Sequence, residues 1–275
     1  MSSLIIHPSS QKILDTLQRD LPQSLLVSGQ KGTGLLTIAT QLSARNLAAI
    51  LQPQDAKGNL DENGTISVEM IRNLYEQTRS KHTSRQVVII DDADRMSHGA
   101  QSAFLKLLEE PGLHMAFILT SHAPDRLLPT IRSRVQHVAL RPITAAQTQA
   151  LIATLDVTDA TKQAQLAYIA SGLPAEIHRL VNDDEVFAAR AAIIGDARTF
   201  LQGTPYQKSL VVQKYKSDRP SALLLVDSAT AILRRTLSAK PQQILVTQLE
   251  WLLETRENIA SNYSVSLQLM QFVLQ

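Results

Sequence analysis

Four β-branched residues in a row, Val87-Val88-Ile89-Ile90, followed at once by Asp91-Asp92, constrain this 275-residue chain more than any other segment. A run that is apolar on both sides suits a strand covered on both faces, as in a parallel sheet. The neighbouring sequence supplies further strands in Ser24-Leu25-Leu26-Val27-Ser28, Ala116-Phe117-Ile118-Leu119-Thr120 and His137-Val138-Ala139-Leu140. Helical patterns lie between them. Residues 35–50 carry small and apolar side chains on most faces and read as one helix, followed by a polar loop over 52–64. Ser67 is placed to cap a helix with Met70, Ile71 and Leu74 on one side. Ser97 caps another, in which Ala100, Phe104, Leu107 and Leu108 recur at i, i+4, i+7 and i+8 until Pro111-Gly112 stops it. Strands alternating with helices predict an α/β fold built on a parallel sheet.

The pattern changes after Arg141-Pro142. From Thr144 onward there is hardly a strand signal, and helical segments rich in alanine and leucine dominate, broken at Ser171-Gly172-Leu173-Pro174 and at Gly203-Thr204-Pro205. The division expected is an α/β domain over 1–141, a small helical domain over 142–182 and a C-terminal helical domain over 183–275. In the last, Leu223, Val226, Ala229 and Leu233, then Leu249, Leu252 and Leu253, form stripes of the kind that usually pack a core.

Composition narrows the function. The chain has 27 Lys+Arg against 25 Asp+Glu, a net charge of only +2, with 14 basic and 13 acidic residues up to Leu140. With neither a basic arm nor an acidic tail, any nucleic-acid contact depends on local placement of charge. Without cysteine there is no disulfide scaffold, thiolate zinc site or cysteine nucleophile. The seven histidines are too scattered for a recognisable ligand set, so no metal site is expected. The apolar stretches are too short to span a membrane, and the start lacks the features of a signal peptide, so a cytoplasmic protein is expected.

Gly29-Gln30-Lys31-Gly32-Thr33-Gly34-Leu35-Leu36 follows a predicted strand and opens a predicted helix, with Gly29 and Gly34 at the spacing of G-x-x-x-x-G-K-[ST]. Such a loop cradles phosphates on backbone N–H groups, a lysine reaches the outer phosphates and a hydroxyl holds Mg²⁺. Here those last two positions are Leu35 and Leu36, which supply neither charge nor a metal ligand. Lys31 is the one cation in the loop that could substitute, although it leaves the loop two positions after the first glycine. On this motif alone, a mere tight strand-to-helix turn explains the glycines better. Asp91 and Asp92 occupy the places where P-loop proteins hold Mg²⁺ through water and polarise an attacking water, and they equally suit a solvated loop or a helix cap. Gly29, Lys31, Gly34, Asp91 and Asp92 are thus the candidates for a vestigial nucleotide site.

Three further stretches carry a resemblance: Ala100-Gln101-Ser102-Ala103-Phe104-Leu105-Lys106-Leu107-Leu108-Glu109-Glu110-Pro111, then Phe117-Ile118-Leu119-Thr120-Ser121, then Leu127-Leu128-Pro129-Thr130-Ile131-Arg132-Ser133-Arg134-Val135-Gln136. In order and spacing, over about half the chain, they closely resemble the AAA+ subunits of bacterial sliding-clamp loaders, most of all those of the delta-prime type in DNA polymerase III. The resemblance implies an AAA+ P-loop core, a helical lid and an all-α collar that holds subunits in a ring. It also implies a site in trans. In that family a Ser-Arg-Cys motif projects its arginine into the nucleotide site of a neighbouring ATPase subunit, and the matching residues here are Ser133, Arg134 and Val135. Arg134 is kept and the cysteine is not. Without the motif, Arg134 reads as a surface arginine beside a helix C-terminus. Arg132 is a candidate to position the motif or meet the partner.

Where the chain departs from its resemblance, nucleotide chemistry is lost. Thr120-Ser121-His122 lies where active relatives sense the γ-phosphate, which makes Ser121 or His122 a vestige of that sensor or simply a strand end capping the helix at Asp125. Ser171-Gly172-Leu173-Pro174-Ala175-Glu176 lies where active subunits carry a sensor arginine; none is there, and Arg179 comes too late. A four-cysteine zinc module found in many relatives is replaced by the short loop over 52–64. The function expected is that of a non-hydrolysing, delta-prime-like subunit, with no cofactor in its own site and ATP and Mg²⁺ in its neighbour's. The partners implied are gamma/tau-like and delta-like subunits in a hetero-pentamer, the sliding clamp and primed DNA through phosphate contacts, within the bacterial nucleoid-associated replication machinery and away from membranes. The rivals are an ATP-hydrolysing motor subunit and an AAA+ adaptor in recombination or helicase loading.

Overall fold

The computed structural model describes residues 5–78, 84–112, 114–240 and 242–273, and it divides into two compact units, 1–179 and 180–275. In the first, α1 (Pro8–Arg19) leads into β1 (Ser24–Ser28), α2 (Leu35–Ser43) and β2 (Leu47–Leu51). Next come α3 (Val68–Thr78), β3 (Gln86–Ile90), α4 (His98–Glu109), β4 (Met115–Ser121), the short α5 (Pro129–Arg132) and β5 (Gln136–Ala139). Helices α6 (Ala145–Ala153), α7 (Ala160–Ile169) and α8 (Pro174–Asn182) follow. All five strands are parallel, in the order β2-β3-β4-β1-β5. Strand β1 lies between β4 and the edge strand β5, so the loop leaving it opens at the carboxyl end of the sheet, where open α/β sheets place their ligands.

Strand periodicity sorts the core. Leu26, Val88, Ile90, Phe117 and Leu119 point to one face, against Ile71 and Leu74 of α3 and Phe104 and Leu107 of α4. Leu25, Val27, Ile89, Ala116, Ile118 and Val138 point to the other, against Leu14 and Leu17 of α1 and Leu35, Ile38 and Ala39 of α2. Most are fully buried, and each large one contributes about 1.5–3 kcal/mol. Phe104 meets Phe117 edge-on, with ring centroids 5.4 Å apart. The hydroxyls of Ser67 and Ser97 accept from the N–H groups of Met70 and Ala100, as the capping pattern predicts.

Residues 35–50 are not one helix. Helix α2 ends at Ser43, Ala44 takes φ +48, a 3₁₀ turn covers Ala44–Asn46, and Leu47–Leu51 pairs with β3 as the edge strand β2. The alanines at 48 and 49 favour a helix locally, but pairing with the buried Val87–Ile90 ladder overrides that preference.

The second unit is helical: α9 (Asp184–Gln202), α10 (Pro205–Tyr215), α11 (Arg219–Ala239), α12 (Gln243–Ala260) and α13 (Val265–Val273). Asp183, Thr204 and Asp218 cap the first three, Thr204 with Gln207 in a capping box. Val226, Ala229, Leu233 and Leu252 are buried as their stripes imply, whereas Leu253 is exposed. Phe200 stacks on Phe272 at 4.8 Å.

Candidate functional site

The loop after β1 turns because glycine permits it. Gly32 and Gly34 have φ of +91° and +89°, a backbone conformation that other L-residues rarely adopt. The loop borders a cleft of about 400 Å³, whose walls also come from residues 52–53 and 60–62, from the carboxyl ends of β3 and β4, and from the start of α8. Of the candidate residues, Lys31, Gly34, Asp91 and Asp92 line this cleft. Gly29 lies behind it, its N–H donating to the Ser121 carbonyl and its own carbonyl meeting the His122 ring.

The two leucines part company. Leu35 is 3% exposed and joins the core under α2, so the position from which a lysine would reach phosphate is spent on packing. Leu36 is half-buried and lines the cleft. Lys31 forms an ion pair with Glu62 at 2.6 Å. That lysine holds the Glu62 carboxyl below the usual range. The carbonyl of Gly32 accepts from the N–H groups of Ala175 at 2.9 Å and Glu176 at 3.2 Å, two first-turn donors of α8 that otherwise lack helical partners. A Cβ on Gly32 would stand 2.8 Å from that of Glu176. The phosphate loop is thereby held against α8 through the Gly32 carbonyl, while the Lys31–Glu62 pair, with side chains 64% and 66% exposed, is open to screening by water and salt.

Charge in the cleft is unfavourable to phosphate. Asp61, Glu62, Asp91, Asp92 and Glu176 face it with, among the described residues, only Lys31 and Arg179 as fixed cations, and Arg179 lies 3.5 Å from Glu176. Arg179, which comes later in the sequence than the expected sensor position, lines the cleft. It sits one helical turn after Ala175, on the same face of α8, because residues four apart share a face.

The carboxylates after β3 are ordered by their neighbours. Thr120 donates to Asp91 at 2.6 Å and accepts the Asp92 N–H at 3.0 Å, and Gln52 donates to Asp91 at 3.1 Å. Asp92, in the left-handed region at φ +48, has its carboxyl pushed up, chiefly by burial; His122 opposes that shift and Asp91 and Asp94 add to it. His122 Nδ1 lies 2.8 Å from the Gly29 carbonyl, which only accepts, so Nδ1 carries a proton. Its Nε2 faces Asp92 at 3.5 Å, an approach that is favourable when a second proton sits between the pair. Ser121 is buried and ties Asp94 at 2.7 Å, leaving His122 as the member of that pair which reaches the cleft.

Arg134 lies elsewhere. It does not line the cleft; its side chain is 39% exposed, with Nη1 donating to the Thr130 carbonyl at 3.0 Å and Nη2 to Glu109 at 2.8 Å. Ser133 donates to the same carbonyl at 3.1 Å. Arg132 pairs with Asp125 at 2.6 Å.

The family model described as DNA polymerase III, delta subunit, matches residues 9–144. The chain is 31% identical over 156 residues to DNA polymerase III subunit delta' of Pseudomonas aeruginosa, covering 56% of this chain and 45% of that one. Over its first half the chain is thus similar to delta-type subunits of DNA polymerase III. It is also 28% identical over 210 residues to subunit delta' of Bacillus subtilis, covering 69% of this chain and 63% of that one. A shorter stretch of 84 residues is 34% identical to subunit gamma/tau of Mycobacterium tuberculosis, 30% of this chain and 14% of that one. The matches to the two delta' subunits thus span about half to two thirds of those relatives' length.

The structure brings the loop and the aspartates together at the cleft and leaves Arg134 apart; Glu62 and Thr120's bridging role are not read from the sequence, and Arg179, set aside there, lines the cleft. Thr120 was within reach, since it ends a strand adjacent to β3 at the level of the aspartates. Glu62 carries no local signal. Among the described residues no group of three His, Asp or Glu side chains has the arrangement of a metal site, and no helix is long and apolar enough to cross a membrane.

Proposed function

We propose that this chain is the non-hydrolysing, delta-prime-type subunit of a clamp loader, with a degenerate Walker A loop and an arginine finger, Arg134, that acts on nucleotide held by a neighbouring ATPase subunit. The observation that carries the first half is the closed phosphate loop: Leu35 packed in the core, Lys31 paired to Glu62, and the Gly32 carbonyl capping α8. These residues do not fit MgATP, since the lysine and the metal-binding hydroxyl are both gone and five carboxylates line the cleft.

Support for the second half is the placement of Arg134. A guanidinium stays charged at every physiological pH and offers five donors in a rigid fork. Arg134 stands outside its own cleft, partly exposed, and only two of those donors are engaged. In the neighbour's site it would stabilise charge on the phosphates as they are transferred, a contribution on the order of 10³-fold or more. ATP and Mg²⁺ would belong to that neighbour, a gamma/tau-like subunit. The helical second unit would serve as a collar in a hetero-pentamer with a delta-like subunit, working in the cytoplasm to place a sliding clamp on primed DNA, which it would touch through phosphates.

The test is the ATPase rate of a loader reconstituted with Arg134→Ala. Assembly should persist while turnover falls steeply; an unchanged rate removes the finger. Similarity to gamma/tau keeps a motor subunit as the rival reading, opposed by Leu35 and Leu36. Co-purification with recombination or helicase-loading proteins, instead of clamp-loader subunits, would favour an adaptor.

A further inference from the structure

We infer that Glu109 is a positioning residue for Arg134, holding the guanidinium in the orientation in which it meets a neighbour's phosphate; this rests on the trans role of Arg134 proposed above. The frame under the arginine is rigid. Helix α5 is anchored by Leu127 and Ile131, 1% and 0% exposed. The buried Gln101 of α4 accepts from the Leu128 N–H at 2.8 Å and donates to the carbonyls of Met96 and Arg126, fastening the segment before α5 to α4. The backbone at Arg134 is therefore fixed relative to α4, and what is left to settle is the long side chain.

Glu109 settles it. Its Oε1 takes one N–H of Nη2 at 2.8 Å while the Thr130 carbonyl takes one N–H of Nη1 at 3.0 Å, so acceptors on two different elements fix the plane of the fork. The Nε–H and one N–H on each Nη are left for an incoming anion. Stability does not explain the contact, because side chains 39% and 53% exposed form a pair that water and salt screen heavily. Helix electrostatics do not explain it either: Glu109 is the last residue of α4, where the negative end of the dipole disfavours a carboxylate. Arg132 has no comparable brace, since its partner Asp125 is almost fully exposed on the same loop.

The experiment compares Glu109→Ala, Glu109→Gln, Arg134→Ala and the Glu109→Ala/Arg134→Ala double variant in a loader reconstituted with its ATPase subunits, with kcat and KM for ATP measured separately. Glu109→Ala should lower kcat on the order of 10-fold with little change in KM, the loss expected when a reacting group is misplaced by less than an ångström or so. Glu109→Gln, which keeps an oxygen acceptor at the same reach, should retain most of the rate. The double variant should be no slower than Arg134→Ala, as residues acting through one group are not additive. An unchanged kcat in Glu109→Ala, beside a large loss in Arg134→Ala, overturns the positioning role and leaves the finger standing. A faster loader with either Glu109 variant overturns it too, because the carboxylate would then be restraining the arginine. An unchanged rate in Arg134→Ala overturns the finger and Glu109's role together.

Discussion

Gly32→Ala isolates the contact that closes the phosphate loop. The new methyl must adopt φ near +91°, and left-handed backbone costs an L-residue about 1–2 kcal/mol. It also stands 2.8 Å from the Glu176 Cβ and 3.3 Å from the Leu173 Cβ, so the start of α8 has to withdraw. Withdrawal weakens the two hydrogen bonds from Ala175 and Glu176 to the Gly32 carbonyl, at about 1 kcal/mol each. Gly58→Ala is the matched control, with φ +85 and nothing within 4 Å of its added Cβ. The backbone term and the gain from a stiffer unfolded chain cancel between the two, leaving about 2 kcal/mol for the α8 contact. In a 179-residue unit that corresponds to a difference in melting temperature of roughly 4–8 °C, read by circular dichroism on both variants. Melting temperatures within a degree of each other would refute the reasoning, since the α8 contact would then carry no stability.

Two more outcomes follow from the cleft. Asp92 has its carboxyl pushed up by burial, so the folded state holds its proton more tightly than the unfolded one; its contribution is fully present below the ordinary carboxylate range and is lost as pH rises through the raised value. Asp92→Asn, which also suits the left-handed backbone, should therefore raise the melting temperature at pH 7–8 and change little near pH 3; the opposite pattern would contradict the burial cause. Restoring the motif with Leu35→Lys/Leu36→Thr should not restore ATP binding in a fluorescence titration, and it should cost about 2–4 kcal/mol of stability because Leu35 is core. Micromolar affinity in that variant would show that α8 and the surrounding carboxylates do not keep phosphate out of the loop.

Much of the first unit is legible in the sequence because its signals are local. A β-branched run marks β3, apolar runs mark β1 and β4, Ser67 and Ser97 mark helix starts, and the spacing of Gly29 and Gly34 marks the loop. β2 is not legible, since Leu47-Ala48-Ala49-Ile50 favours a helix and becomes a strand only through β3. In the cleft the same limit applies. The loss of the lysine and hydroxyl is read directly from Leu35 and Leu36, while the partner of Lys31 is 31 residues away in a turn-rich loop with no periodicity. The cleft position of Arg179 follows from counting one helical turn on from Ala175, because residues four apart share a face of α8.

The most direct measurement is equilibrium binding of ATP, with Mg²⁺, to the purified isolated chain. No binding at millimolar nucleotide is expected from a loop that has Leu35 and Leu36 in place of the lysine and hydroxyl, is held against α8 and is faced by five carboxylates. Saturable binding in the micromolar range would contradict it: Lys31 would then have exchanged Glu62 for phosphate, and the motor-subunit reading would stand in its place.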